Sequence, residues 1–103
     1  MIDVWKIRRA EPRILLALPV TVEGEDTSHN HFLEETNTEN VSKNGACLLI
    51  KHSLAIGTIV TISAWQGKFK CQAIVRGIWI DDHDKKTRLG IRFIEPVENW
   101  VVT

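Results

Sequence analysis

Between Lys68 and Arg76 the chain alternates with a period of two: Phe69, Cys71, Ala73 and Val75 on one side, Lys68, Lys70, Gln72 and Arg76 on the other. A segment of this kind has one dry and one wet face only as a β-strand, because successive strand side chains point to opposite sides. The run from Ile59 to Trp65, joined to it through Gln66-Gly67, makes the pair a hairpin with one solvated face. The same period recurs at both ends of the chain. Ile14, Leu16, Leu18, Val20 and Val22 alternate with Leu15, Ala17, Pro19, Thr21 and Glu23, and Leu89, Ile91 and Phe93 alternate with Arg88, Gly90 and Arg92. No long amphipathic helix, repeat or low-complexity tract is visible.

The remaining segments fit the same plan. Pro19 cannot donate to a ladder, so the first strand is expected at an edge or with a bulge. "GEDTSHN" reads as a polar turn, followed by a weaker strand from about His31 to Thr38. After "NVSKNG", Ala46 to Ile50 is short and apolar enough for a buried strand, and "SLAIG" is a connecting turn. Gly77 interrupts the alternation and predicts a bulge or bend before Ile78-Trp79-Ile80. "DDHDKK" is an exposed turn. "EPVENWVV" is expected to form one short helical turn beginning near Pro96, with Trp100 packed back on the body. About six short strands at these spacings point to a small antiparallel barrel.

With 103 residues, 44% apolar and 25% charged, the chain suits one globular domain. No apolar run approaches the roughly 20 residues that span a bilayer, and "MIDVWKIRRAEPR" has no hydrophobic signal region. A cytoplasmic protein without a membrane span is expected. Cys47 and Cys71 are too few and too far apart for a disulfide framework and read as buried free thiols. The net charge of zero hides an uneven distribution. From Ile14 to Ser42 there is no Lys or Arg, while Glu23, Glu25, Asp26, Glu34, Glu35 and Glu39 all fall there. Lys6, Arg8, Arg9 and Arg13 crowd the segment before it. General attraction to DNA or membrane needs a broader positive field, whereas a local anion site is compatible with this pattern.

Two short patterns carry the functional signal. Arg9-x-x-x-Arg13 is followed by Asn40-Val41-Ser42-Lys43-Asn44-Gly45, which reads N-x-S-x-x-G, with a strand of suitable length between them. They resemble the paired signature of PilZ domains, RxxxR followed by [D/N]xSxxG, and "RLGIRF", Arg88 to Phe93, is similar to that family's closing strand. The resemblance covers nearly the whole chain. It implies an all-β, six-stranded antiparallel split β-barrel that binds the bacterial second messenger cyclic di-GMP, with no cofactor and no enzymatic activity. It also implies a basic leader, residues 1–13, mobile without ligand and folded across it when bound, ahead of a barrel over residues 14–103. Ordering of the leader would relay the signal to a downstream protein partner.

The residue types suit that ligand independently. Arginine forks onto phosphate oxygens or the O6/N7 edge of guanine and stacks flat on a purine. Arg9 and Arg13 are therefore assigned to phosphate and guanine. Asn40 offers an amide to a guanine edge, and Ser42 a small hydroxyl. Gly45 is expected to permit either a positive φ or close approach of the ligand. In the family, an arginine just before the first motif arginine favours an intercalated pair of ligands, so Arg8 implies two molecules per domain. Trp79 has two readings, a stacking surface in the same site or a core aromatic, with the core weighed slightly higher. Trp5 is undecided between an exposed anchor and a partner contact.

Two rival functions predict other patterns. A PilZ-like module that only binds proteins would lack the motif arginines, which this chain keeps. A barrel for single-stranded nucleic acid would interleave aromatics with cations on one strand face, and Lys68, Lys70 and Arg76 are not so interleaved. His29 and His31 have no Cys or third His at metal spacing and only Asp26 as a weak third candidate, so a surface loop is preferred. Cys47 with His52 is a poor nucleophile pair, because "ACLLI" is an apolar setting that leaves a thiol unactivated.

Overall fold

The structure, a computed structural model, describes residues 12–101. Seven strands follow in chain order: β1 (Ile14–Leu15), β2 (Pro19–Glu25), β3 (His31–Ser42), β4 (Gly45–Leu49), β5 (Ile59–Ala64), β6 (Phe69–Ile80) and β7 (Thr87–Phe93). All pairings are antiparallel. β2, β5, β6, β7 and β4 pair in that order, and β3 joins both ends by pairing with β2 and with β4, so six strands close into a barrel. β1 is a seventh, short strand laid on β3. The expected six-stranded antiparallel barrel is therefore what the chain forms.

Alternation fills the inside. Val22, Val41, Leu48, Val60, Ile62, Val75 and Leu89 are essentially inaccessible, and Phe69, Cys71 and Ala73 face inward as their spacing required. Each such Val, Leu or Ile contributes on the order of 1.5–3 kcal/mol of transfer free energy. Both cysteines are buried and free.

The long alternation of residues 14–22 is broken in the middle. β1 ends at Leu15 and β2 begins at Pro19, the strand position where a missing N–H is tolerated. Across the break, Thr38 stands in for the ladder. Its Oγ1 accepts from the Leu18 N–H at 2.9 Å and donates to the Leu16 carbonyl at 2.6 Å. Ile14 and Leu15, expected to alternate, are instead 46% and 87% exposed.

β3 runs four residues beyond its expected end, so Asn40, Val41 and Ser42 belong to a strand and only Lys43-Asn44 form the turn. The reason it escapes a period-two reading is a bulge. Register shifts between Thr38 and Asn40, so the inward positions Phe32, Glu34 and Thr38 are followed by Val41. Glu39 is the added residue. A matching shift lies between Val75 and Gly77 in β6, where the Gly77 interruption predicted it.

Three ends complete the barrel. The buried Glu34 carboxylate accepts from the Lys51 N–H (2.9 Å) and His52 N–H (3.1 Å) and pairs with His52 Nδ1 (2.6 Å). The expected Gln66-Gly67 turn is wider: a 3-10 turn takes Trp65 out of the strand, with positive φ at Trp65, Gln66 and Gly67. The expected helical turn after Pro96 is absent from residues 94–101. Asn99 has a φ of 63°, incompatible with a right-handed turn there. Trp100 nevertheless packs on the body, 4.6 Å from Phe69 and 5.0 Å from Phe93 between ring centres.

Candidate ligand-binding site

The register brings the end of the first motif toward the second. Ile14 pairs with Val41 and Leu15 with Asn40. The exposed Arg13 immediately precedes the Ile14–Val41 pair and acts electrostatically on Cys47, the partner of Asn40. The second arginine of RxxxR therefore adjoins the strand that pairs with the N-x-S-x-x-G motif. Arg8, Arg9 and Trp5 lie outside the described residues.

Directly opposed residues in antiparallel strands share a face, and Val41, Leu48, Leu89 and Val75 point inward. The residues between them consequently form rows on the outer wall. One row runs Leu15, Asn40, Cys47, Gly90, Gly77 across five strands. The next runs Ser42, Gly45, Arg92, Ile74. Both bulges fall at the edge of the first row, which is where ladder irregularities commonly re-aim side chains.

The floor of this wall is small by construction. Trp79, expected slightly more in the core, is instead 44% exposed. Its ring edge lies 3.4 Å from where a Cβ would stand on either Gly77 or Gly90. Two glycines let an indole lie against the wall. Gly45 needs its missing side chain for another reason than expected. Its φ is not positive, and a Cβ would run into the Ile91 carbonyl oxygen of β7. Close approach of the chain's own backbone explains it.

Ser42 is held at both ends of its residue. Its hydroxyl donates weakly to the Gly45 carbonyl at 3.4 Å, while its own carbonyl accepts from Trp100 Nε1–H at 2.9 Å. The long first bond leaves the hydroxyl easy to redirect.

Charge on this face is organised around Arg88, which sequence reading placed only in the closing strand. Arg88 Nε and Nη2 donate to Glu39 Oε1 and Oε2 at 2.5 and 2.9 Å, and Nη1 and Nη2 to Asp84 Oδ1 and Oδ2 at 3.0 and 2.7 Å. These bonds hold the Asp84 carboxyl well below the usual carboxylate range, the Lys86 N–H adding to the effect, and keep Arg88 protonated. Burial pushes the Cys47 thiol up. Glu39 adds to that rise, while Arg13 and Arg88 oppose it. Cys47 thus lies within the field of all three charges. Among the described residues the side chain of Arg92, exposed beside Gly45, has no hydrogen bond or ion pair.

Two histidines are engaged elsewhere. His31 Nε2 pairs with Glu23 at 2.8 Å, and the His52 ring stacks 4.4 Å from Phe32 while bound to Glu34.

The sequence matches the PilZ domain family over residues 7–99. The chain belongs to the PilZ domain family. Solved structures with the same fold include the Bacillus subtilis inhibitor of motility MotI/DgrA, at 19% identity and a TM-score of 0.73, covering 89% of this chain and 44% of that one. The PilZ domain of Escherichia coli YcgR with c-di-GMP is similar at 21% identity and TM-score 0.59, covering 85% and 79%. The K. pneumonia MrkH–c-di-GMP complex matches at 17% identity and TM-score 0.63, covering 85% and 45%. At such identities the likeness is one of fold. The chain spans less than half the length of MotI. No curated protein matches it. Among the described residues of this PilZ domain, no helix is long and apolar enough to cross a membrane.

Proposed function

We propose that this PilZ domain is a receptor for cyclic di-GMP, acting without catalysis, with its site on the outer wall around Asn40, Cys47 and Gly90. The observation that carries the reading is the β1–β3 register, which pairs Ile14 and Leu15, the residues just after Arg13, with Val41 and Asn40 of the N-x-S-x-x-G motif. Arg13, with Arg9, forks onto phosphate and guanine. Asn40 and Ser42 offer polar atoms to a guanine edge, and Gly45 keeps the hairpin tight against β7. Trp79, half exposed over a glycine floor, supplies a stacking face. Arg8 supports a second, intercalated ligand molecule. The dinucleotide draws residues 1–13 onto the barrel, and that rearrangement is the signal a downstream protein partner reads.

Calorimetric titration with cyclic di-GMP, GTP and a short oligonucleotide tests this. The cyclic dinucleotide alone should bind, and Arg13→Ala should weaken it about 10- to 100-fold, the loss of a charge-assisted pair. Comparable binding of the oligonucleotide would instead favour a nucleic-acid role, and no binding of either a protein-interaction module. Two ligands per chain are expected at saturation. One per chain would remove the role given to Arg8.

A further inference from the structure

A carboxylate borders the candidate ligand site. The β3 bulge adds Glu39 immediately before Asn40, and its charge reaches Cys47 in the centre of the candidate platform. Left alone, it would repel an anion. It is not left alone: Arg88, two strands away on β7, grips both of its oxygens. Asp84 holds the same guanidinium from the other side and fixes its direction.

We propose that Arg88 is a positioning residue, which holds Glu39 ion-paired at the rim of the site so that Arg13 and Arg92 present an anion-attracting surface. Arg88 itself touches no ligand in this scheme, because its fork is fully occupied by two carboxylates. The bulge is the device that turns Glu39 toward Arg88. The proposal rests on reading this wall as the cyclic di-GMP site, so its test has one ligand arm and one ligand-free arm.

In the ligand arm, cyclic di-GMP affinity is measured for four proteins. Arg88→Gln should weaken binding about tenfold, with the loss shrinking in high salt. Glu39→Gln should strengthen binding about threefold, and the double variant should stay within about threefold of Glu39→Gln. Equal weakness of Arg88→Gln and the double variant would overturn the proposal, as would weaker binding by Glu39→Gln. Should Arg88→Gln fail to fold, Glu39→Gln decides on its own.

In the ligand-free arm, Cys47 serves as the electrometer, its thiolate absorbance titrated against pH in a Cys71→Ala background. Arg88→Gln should shift the titration up, Glu39→Gln down, and the double variant back toward the parent. No movement would overturn the proposal whatever the ligand does. Movement as stated, in a protein that binds no cyclic di-GMP, would leave the charge pairing standing and remove the function.

Discussion

The barrel wall has two halves built by different rules. Where β5 pairs with β6, the ladder runs unbroken from Ile59–Ile74 to Ala64–Phe69, and the outer row Glu23, Thr61, Gln72 lines a hollow together with His31, which pairs with Glu23. Where β3, β4, β7 and the end of β6 meet, two ladders slip by one residue, and Gly45, Gly90 and Gly77 stand on the outside. The regular half holds a hollow walled by evenly alternating side chains. The slipped half gathers Arg13, Arg88, Arg92, Glu39 and Trp79 around a shallow floor. Period two spreads side chains evenly over both faces, so a concentration of function needs a break in it.

The sharpest way to break the contrast is at the glycines. Gly45→Ala should cost about 2–3 kcal/mol in denaturant unfolding, because backbone must move to admit the methyl group beside Ile91. In the regular half, Gly24→Ala meets first the Val60 Cγ1 at 3.1 Å, which can yield, and should cost under about 1 kcal/mol. Equal costs would erase the distinction.

Next comes the splice. Thr38→Val keeps the shape and removes the hydroxyl that serves Leu16 and Leu18, so about 1–3 kcal/mol should be lost. Hydrogen exchange at Leu18 should accelerate more than at Val22, which lies inside the continuous ladder.

A smaller effect is expected at Trp100→Phe. The rings still pack, but the bond to the Ser42 carbonyl goes, at a cost of about 1 kcal/mol. Its value is local: cyclic di-GMP binding should change in this variant and stay unchanged in Gln72→Ala, on the regular wall. The same response in both would argue against a coupling specific to the hairpin.

The smallest effect is a pH dependence. Burial raises the Cys47 thiol, and the Cys71 thiol likewise, so folding favours their protonated forms. That stabilisation is complete below the unfolded thiol pKa, about 8.5, and is lost as pH rises through the folded values. Urea midpoints should therefore fall from pH 7 to pH 10, less steeply in Cys47→Ala. A steeper fall in that variant would reverse the assignment.

Legibility followed regularity. The β5–β6 hairpin, β7 and the core of Phe69, Cys71, Ala73, Leu89 and Ile91 were readable because their alternation is intact. The C-terminal part of β3 was not, because Glu39 shifts the parity and sends Val41 inward three positions after Thr38. Trp79 was misjudged for a related reason: an indole over two glycines from different strands has no signature along the chain. Arg88's partners, Glu39 and Asp84, are 49 and 4 residues away. Only the second spacing is local.

By itself the amino-acid order determined an antiparallel barrel, the inward faces of its regular strands and the two motifs that mark the family, since each depends on neighbours within a few residues. Tertiary structure decided the rest. Which strand lies beside Asn40 and Val41, why Gly45 bears no side chain, and what holds the Glu39 carboxylate are settled by ladders between strands far apart in the chain. Local propensity carries no information about which backbone will lie alongside which.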